Sequence, residues 1–199
     1  MIHPPKQDGW LVQSDIGAKA KVEGSRLGLP IHTFSGHEFW PMDPRASEVH
    51  IEDIAHALSM QCRYAGHGLQ FYSVAEHSVM VASWLRDVGA PRAAILQGLL
   101  HDATEAYLVD VPRPVKAFLP GYKEAEAKVW VAVCRRYNLD LLISPWVHEA
   151  DNRIIADEMA QNMVRPDPSY DNPLGIDLKF WSPAEAKAAF MMIFCEEVL

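Results

Sequence analysis

The sequence predicts an all-α fold, a single-domain helical bundle with a mostly irregular N-terminal segment. From residue 51 onward, apolar residues recur at the i, i+3, i+4, i+7 spacing of amphipathic helices. No segment alternates apolar and polar residues as a half-buried strand would, and a length of 199 residues fits one domain. We therefore place the irregular segment at residues 1–48 and the helical domain at residues 49–199.

The predicted N-terminal segment is rich in Pro, Gly and His and shows no sustained period. Its stretch PIHTFSGHEFWPMDP has the composition of a loop that folds over the body, with room for a short strand. The aromatic residues Phe34, Phe39 and Trp40, and Tyr72 further on, could stack on a planar ligand. We favour the alternative that they are core residues.

Capping sequences and apolar stripes place the helices along the chain. The second helix begins with Ser73-Val-Ala-Glu76, a capping box in which Ser and Glu would satisfy each other's free backbone N–H groups, and it ends at Gly89. The third helix, at residues 92–107, is apolar nearly all round, which predicts a place at the centre of the bundle. The remaining helices are predicted from Ile51, within 111–120, at 122–137, at 147–164 and from the capping box Ser182-Pro-Ala-Glu185.

Composition and charge exclude several classes of function. The formal net charge of −8 disfavours nucleic-acid binding, which needs a basic face. No apolar run approaches the roughly 20 residues that span a bilayer, and the N-terminus lacks the layout of a signal peptide, so we predict a cytoplasmic protein without a membrane partner. The three cysteines have no metal-binding spacing and are interpreted as small buried residues. Phosphate-loop, dinucleotide-binding and serine-hydrolase motifs are absent from the sequence.

The stretch HDATE, residues 101–105, carries the strongest chemical signal. An ionised Asp102 near the end of an apolar helix needs a cationic partner, because burying an unpaired charge is costly. Adjacent helical positions lie about 100° apart, so His101 and Asp102 can reach one ion, with Glu105 one turn away. Taken alone, the dipeptide favours a structural interpretation, a hydrogen-bonded core histidine and an aspartate that starts a turn.

Two further helices supply inward-facing polar residues that strengthen the metal interpretation. His77 lies beside the apolar stripe of the second helix, and Asp151 lies one turn before Ile154 and Ile155. Two histidines and two aspartates from three helices are economically explained by a bound divalent cation. A set of nitrogen and oxygen ligands without Cys suits Mn, Co, Fe, Ni or a catalytic Zn.

The order His77, His101-Asp102 and Asp151 resembles that of the HD-domain metal-dependent phosphohydrolases. More narrowly, YSVAEHS followed by LLHDATEAYLVDVPRPVK is similar to the branch of bacterial 5′-deoxynucleotidases and phage dATP triphosphohydrolases, and IEDIAHALSMQCRYAGH is most similar to the phage members. The resemblance covers residues 33–160 and implies an HD-type helical bundle. It also implies that the four residues bind the catalytic metal, with Co, Mn, Zn or Mg as candidates.

The same resemblance assigns roles to residues around the metal. Glu105 would position or deprotonate the attacking water, Asp110 would be a second acid or base, and Arg63 would hold a phosphate. The deoxynucleotidases have Arg-Trp where this chain has Arg63-Tyr64, so the sugar-side contact would differ. Arg113 and Lys116 are candidate phosphate contacts that would supply the positive field that the whole chain lacks, or else solvated loop charges.

The resemblance implies a deoxynucleotide as the small-molecule partner, with a deoxynucleoside triphosphate, dATP, as the preferred substrate. The alternatives are a 5′-deoxynucleotidase that acts on monophosphates, a nucleotide phosphodiesterase with a second metal site, and a non-catalytic bundle. Relatives of this kind form homo-oligomers, so we expect one here. His56 or His67, which flank Arg63, could touch the substrate, whereas His32, His37, His50 and His148 are interpreted as structural or surface groups.

Overall fold

The computed structural model describes residues 26–198; what the sequence predicts for residues 1–25 and for Leu199 lies outside these bounds. The described part is mostly helical, which confirms the predicted all-α character. Its eight α-helical segments are α1 Ile51–Met60, α2 Val74–Asp87, α3 Arg92–Leu100, α4 Glu105–Leu108, α5 Arg113–Lys116, α6 Tyr122–Tyr137, α7 Pro145–Asn162 and α8 Pro183–Val198. Single 3₁₀ turns occupy Ala46–Glu48 and Arg63–Gly66.

Helix α2 lies at the centre of the bundle and contacts α1, α3, α7 and α8. The prediction gave the central place to the third helix, yet α3 leaves Arg92 and Ala93 exposed while α2 buries most of its length. The buried residues of α2 include polar Glu76, His77 and Ser78, which make the helix look amphipathic in sequence. A pattern of apolar residues cannot distinguish such buried polar groups from a solvent-facing side.

The predicted helix 92–107 is divided into α3 and the single turn α4 by tight turns at residues 101–104. His101 Nδ1 lies 2.7 Å from the carbonyl oxygen of Gly98, the acceptor that the Asp102 N–H would need in a regular α-helix. Backbone bonds of the i to i−3 type follow, from Ala103 to Leu100 and from Glu105 to Asp102. The side chain of His101 thus ends the α-helical pattern at the position where the chemistry begins.

Glycine allows α2 and α3 to approach each other closely next to that turn. A Cβ atom at Gly98 would lie 2.5 Å from Leu85 Cδ1 and 3.3 Å from Val81 Cγ1. Both neighbours are fully buried, so the larger side chain could not be accommodated without moving packed atoms. Because His101 follows Gly98 by only three residues, this contact fixes the position of His101 relative to His77 on α2.

Residues 26–48 pack on the helices through a small hairpin. Strands β1 (Ile31–His32) and β2 (Glu38–Phe39) are antiparallel, and Phe39 is fully buried with its ring 3.7 Å from that of Tyr107. Within the turn, the Ser35 backbone N–H and hydroxyl both donate to the buried carboxylate of Asp53. The short strand predicted in this stretch is therefore one strand of a hairpin. The domain boundary at residue 48 stays a prediction.

Two buried carboxylates hold the loop that precedes α8. Glu76 accepts backbone N–H bonds from Lys179, Phe180 and Trp181, and Asp157 accepts three from residues 174–176. Only one of the two hydrogen bonds predicted for the capping box at Ser73 is present: Ser73 Oγ accepts from the Glu76 N–H. The other half of the prediction is wrong, because the Glu76 carboxylate binds the distant loop. The box at Ser182 and Glu185 forms in both directions.

The remaining local predictions can be compared directly with the structure. The helices at 122–137 and from Ser182 match α6 and α8, whereas α7 begins two residues earlier than predicted because Ser144 caps it ahead of Pro145. Cys134 is buried as expected and Cys62 partly so, but Cys195 is exposed on α8. Among the described residues, no helix combines the length and apolarity needed to cross a bilayer.

Candidate metal centre

Four side chains from three helical segments meet at one point. His77 comes from α2, His101 and Asp102 follow the end of α3, and Asp151 comes from the second turn of α7. His77 Nε2 lies 3.3 Å from His101 Nε2 and 3.3 Å from Asp151 Oδ1. Asp102 Oδ2 lies 3.3 Å from His101 Nε2 and 3.6 Å from His77 Nε2. The structure therefore brings together all four residues that the sequence indicated as metal ligands.

The hydrogen bonds of the two imidazoles direct both Nε2 atoms into this centre. His77 Nδ1 lies 2.7 Å from Glu158 Oε1, and His101 Nδ1 lies 2.7 Å from the Gly98 carbonyl oxygen. Each Nδ1 must donate to its acceptor, so each neutral ring presents a lone pair at Nε2. Two lone pairs 3.3 Å apart repel unless a positive charge lies between them. The centre is built to attract a cation.

A proton meets this need in the metal-free protein. Burial alone would lower the pKa of His101, but the carboxylates of Asp102 and Asp151 outweigh it and raise the pKa to about 9. Burial would raise the pKa of Asp151, but its contacts with the two imidazoles hold it far below its usual range. The negative field that retains this proton would equally favour a divalent cation.

The donor set fits such a cation. The ligand atoms of His77, His101 and Asp151 lie within 4.8 Å of one another, and Asp102 adjoins both imidazoles. Two imidazole nitrogens and two carboxylates, without Cys, suit a catalytic divalent site, and the Nδ1 partners supply the outer shell that orients histidine ligands.

Glu158 joins the centre to the segment after α1, and sequence reasoning missed it. Its carboxylate is fully buried and contacts His77 Nδ1, Arg63 Nη2 at 3.3 Å and the hydroxyl of Tyr64. Burial would raise its pKa, but Arg63 and His77 lower the pKa to about 2, so Glu158 is ionised. The available signal was its position four residues after buried Ile154 and seven after Asp151, on one face of α7.

Glu105, the predicted base, lies beside the centre with one unsatisfied oxygen. Its side chain is buried, and within the described part of the chain its Oε2 has no hydrogen-bond partner, while Oε1 lies 3.8 Å from Lys116 Nζ. Burial raises the pKa of Glu105 to about 9, and the carboxylates of Asp102 and Asp110 add to the shift. Burial also raises the pKa of Asp110.

A strained turn between α4 and α5 holds the backbone of both acids. Val109 has φ 69° and ψ 147°, a conformation that a β-branched residue rarely adopts. Three contacts maintain it: Gln61 Nε2 donates to the Glu105 carbonyl, Gln61 Oε1 accepts from the Asp110 N–H, and the Tyr122 hydroxyl donates to the Val109 carbonyl. Gln61 thus fixes the main chain of Glu105 relative to that of Asp110.

The four predicted substrate-binding residues all line the cavity next to the centre. Arg63 Nη1 lies 3.4 Å from Asp102 Oδ2, so its guanidinium lies between two carboxylates, and Tyr64 turns its hydroxyl inward to Glu158. Arg113 is mostly exposed and lies 3.1 Å from Asp151 Oδ2, while Lys116 lies 2.7 Å from Glu126. Their contacts with substrate stay predictions.

The cavity has a volume of about 810 Å³, ample for a nucleotide-sized ligand. Besides the residues already placed, it is lined by His67, Val111, Pro112, Pro114, Glu126, His148, Asn152, Ile155, Met159, Met163 and Tyr170. His67 is thus one of the two histidines considered for substrate contact, whereas His56 stacks on Phe34 outside the cavity. His148, expected to be a structural or surface group, is exposed on the first turns of α7 and also lines the cavity.

The aromatic residues considered for base stacking lie elsewhere. Phe39 and Tyr72 are buried in the core, as favoured from the sequence. Trp40 lies under the guanidinium of Arg26, and Phe34 is half exposed between His56 and Lys187. None of these four residues lines the cavity.

Two known proteins have sequences similar to that of this chain. It is 40% identical over 128 residues to the uncharacterized protein YfdR of Escherichia coli (strain K12), an alignment that covers 64% of this chain and 69% of YfdR. It is 33% identical over 176 residues to the uncharacterized protein RCAP_rcc00048 of Rhodobacter capsulatus, covering 78% of this chain and 89% of that protein. The chain belongs to the family of these two proteins.

No protein-family profile matches the chain of this YfdR-family member. The names of its two relatives state no activity, substrate or cofactor. The function of the YfdR-family chain therefore has to be inferred from its own side chains: the four-residue centre, the adjoining buried acids and the cavity that connects them.

Proposed function

We propose that the protein is an HD-type metal-dependent phosphohydrolase that acts on deoxynucleotides. The observation that carries the proposal is the pair of imidazole Nε2 atoms, 3.3 Å apart and in contact with Asp102 and Asp151. These two aspartates line a cavity that Glu105 also lines. A divalent cation bound there would supply a Lewis acid that activates water and polarises a phosphoryl oxygen. The roles of the protein side chains follow from their positions.

Glu105 is the proposed base that takes a proton from the attacking water. Glu105 lines the cavity, and its Oε2 atom is buried with no partner among the described residues, so a small rotation of the carboxyl group would let it accept a hydrogen bond from water there. The raised pKa of Glu105 applies to the metal-free site, and a dication beside Asp102 would favour the ionised form. Asp110, whose pKa burial also raises, is the proposed acid that protonates the leaving oxygen.

Arg63, Arg113 and Lys116 are the proposed phosphate contacts. All three line the cavity, although each already faces a carboxylate of Asp102, Asp151 or Glu126. These positive groups offset the acidic character of a chain with net charge −8, so that a phosphate can approach. The exposed Arg113 could move from Asp151 to a ligand at little cost, because exposed ion pairs are weak.

The preferred substrate is a deoxynucleoside triphosphate, dATP. Water oxygen would bond to the α-phosphorus, the bond from that phosphorus to the 5′ oxygen would break, and the 5′ oxygen would take a proton. The products are deoxyadenosine and triphosphate. The preference for dATP rests on the resemblance of residues 51–67 to the phage enzymes. A 5′-deoxynucleotidase that releases inorganic phosphate from monophosphates would use the same residues.

Other classes of function find less support. A two-metal phosphodiesterase needs further ligands, but the described residues offer only the one cluster of His and Asp side chains. A purely structural bundle would not need a buried acid without a partner beside two facing imidazoles. The formation of homo-oligomers stays a prediction.

The first test is a screen of the purified protein against the common deoxynucleoside mono- and triphosphates, with chelator and with added Co, Mn, Zn or Mg. We expect turnover only with metal. Release of triphosphate from dATP supports the preferred substrate, and release of phosphate from dAMP alone would transfer the assignment to a nucleotidase. Glu105→Gln should lower kcat by about 100-fold or more with little change in metal content, because it removes a base but no ligand.

Glu124→Gln is a matched control for this substitution, because Glu124 is exposed on α6 and does not line the cavity. It should behave as the wild type. Full turnover by Glu105→Gln would contradict the assigned base, whereas turnover by the wild type after exhaustive metal removal would contradict the proposed function itself.

The strained turn provides a separate prediction. Val109→Gly should leave the free energy of unfolding unchanged or raise it by about 1 kcal/mol, because Gly accepts positive φ without strain while it costs entropy on folding. Activity should nevertheless fall by about tenfold, because Glu105 and Asp110 would be held less firmly. Thermal melts and kinetics check the two effects; equal loss of stability and activity would contradict this role of the turn.

A further inference from the structure

One row of side chains on α7 leads from the metal centre into the far part of the cavity. Asp151, Ile155, Met159 and Met163 follow one another at intervals of four residues, so they lie on one face of the helix and its immediate C-terminal continuation. At a rise of 1.5 Å per residue, Met159 lies about 12 Å along the axis from Asp151. The row begins with a metal ligand and ends in two methionines.

The residues that α7 contributes to the cavity become apolar with distance from the metal centre. Ile155 is buried, Met159 and Met163 are half-buried, and Tyr170 from the following loop lines the same region. The lining residues of α7 after Asn152 carry no charge. The charged lining residues come from the centre, from the segment 105–126 and from Arg63, which contacts Glu158 next to Met159. A ligand that extends from the centre along α7 would therefore meet an apolar surface formed by the side chains of that helix.

We propose that Ile155, Met159, Met163 and Tyr170 form the subsite for the uncharged ring of the substrate, here called the apolar wall. The inference rests on the proposed function, since it assumes that a phosphate lies at the metal centre. The ring then contacts α7 and Tyr170, and not the aromatic residues of the segment 34–40.

The chemistry of this wall also predicts how selective it is. The Ile and Met side chains carry no strong hydrogen-bond donor or acceptor, and Met adapts its shape to different ligands, so the Tyr170 hydroxyl is the one strongly polar group of the wall. The amide nitrogen of Asn152, at the near end of the row, already donates to the His148 carbonyl. Apolar contacts discriminate between similar ligands by about 10- to 200-fold, far less than dedicated hydrogen bonds do. The wall selects a ring of suitable size and tolerates several bases.

The test compares two ligands that differ only in the ring, dAMP and 2-deoxyribose 5-phosphate. Their binding to metal-loaded protein is measured by calorimetry in the Glu105→Gln background, which prevents turnover. Met159→Ser and Met163→Ser should each weaken dAMP binding by about tenfold, because each removes a large apolar contact. Binding of 2-deoxyribose 5-phosphate should change less than about twofold.

Two controls separate recognition from damage to the fold. Met163→Leu keeps the apolar volume and should restore dAMP binding, and Met192→Ser removes an exposed methionine of α8 outside the cavity and should have no effect. Equal loss for both ligands, or no loss for either, would overturn the apolar wall while leaving a metal-dependent wild-type activity intact. A wild type that binds neither ligand and hydrolyses no nucleotide would overturn the proposed function as well.

Discussion

Asp151→Asn is expected to lower metal affinity by at least about 100-fold and to abolish phosphohydrolase activity. Asp151 Oδ1 lies 3.3 Å from His77 Nε2 and is one of the atoms that converge on the centre. The substitution keeps the size of the side chain but removes its charge and offers an amide in place of a carboxylate. Losing a direct ligand should exceed the 10- to 100-fold effect of losing an outer-shell partner.

Metal binding to the folded state provides the measurement. At 100 times its dissociation constant, a metal stabilises the fold by about 2.7 kcal/mol, or about 5–10 °C in Tm for a chain of this size. A chelator should cause this shift in the wild type but not in Asp151→Asn. Asp171→Asn, in the exposed loop before α8, should retain the shift. A normal metal content in Asp151→Asn would exclude this residue as a ligand.

Glu158→Gln is expected to destabilise the fold and to weaken metal binding together. The Glu158 carboxylate lies between Arg63 and His77, and a glutamine would accept from His77 Nδ1 only by turning its NH₂ group towards Arg63. Removing one partner of a buried charge pair costs about 3–5 kcal/mol. Loss of the outer-shell carboxylate should lower metal affinity by roughly 10- to 100-fold.

The contribution of Glu158 can be recognised from how the free energy of unfolding changes with pH. Its pKa is about 2 in the folded protein, below its ordinary value of 4.5, so its contribution is present above about pH 5 and lost as the pH falls towards 2. The shift corresponds to roughly 3 kcal/mol. Metal-free Glu158→Gln should lack this part of the acid transition, whereas Tyr64→Phe, which removes one donor to Glu158, should retain most of it. An unchanged acid transition in Glu158→Gln would contradict the buried ion pair.

Local sequence patterns determined where the helices lie and which residues approach the centre. Helix α6 has the predicted bounds, and α8 begins where its capping box predicts, because such signals act within a few residues. His77, His101, Asp102 and Asp151 could be identified because each is a polar residue on an apolar face, which needs a partner.

The tertiary structure alone decided how the buried polar groups are satisfied. Glu76 looked like half of a capping box, yet it binds a loop a hundred residues away, and Gln61 joins the backbones of Glu105 and Asp110 across the chain. Glu158 likewise finds its partners in the distant residues Arg63, Tyr64 and His77. A sequence pattern shows that a buried polar side chain needs a partner, but the partner is set by which helices pack together. That choice depends on long-range packing, such as the approach of α2 and α3 at Gly98.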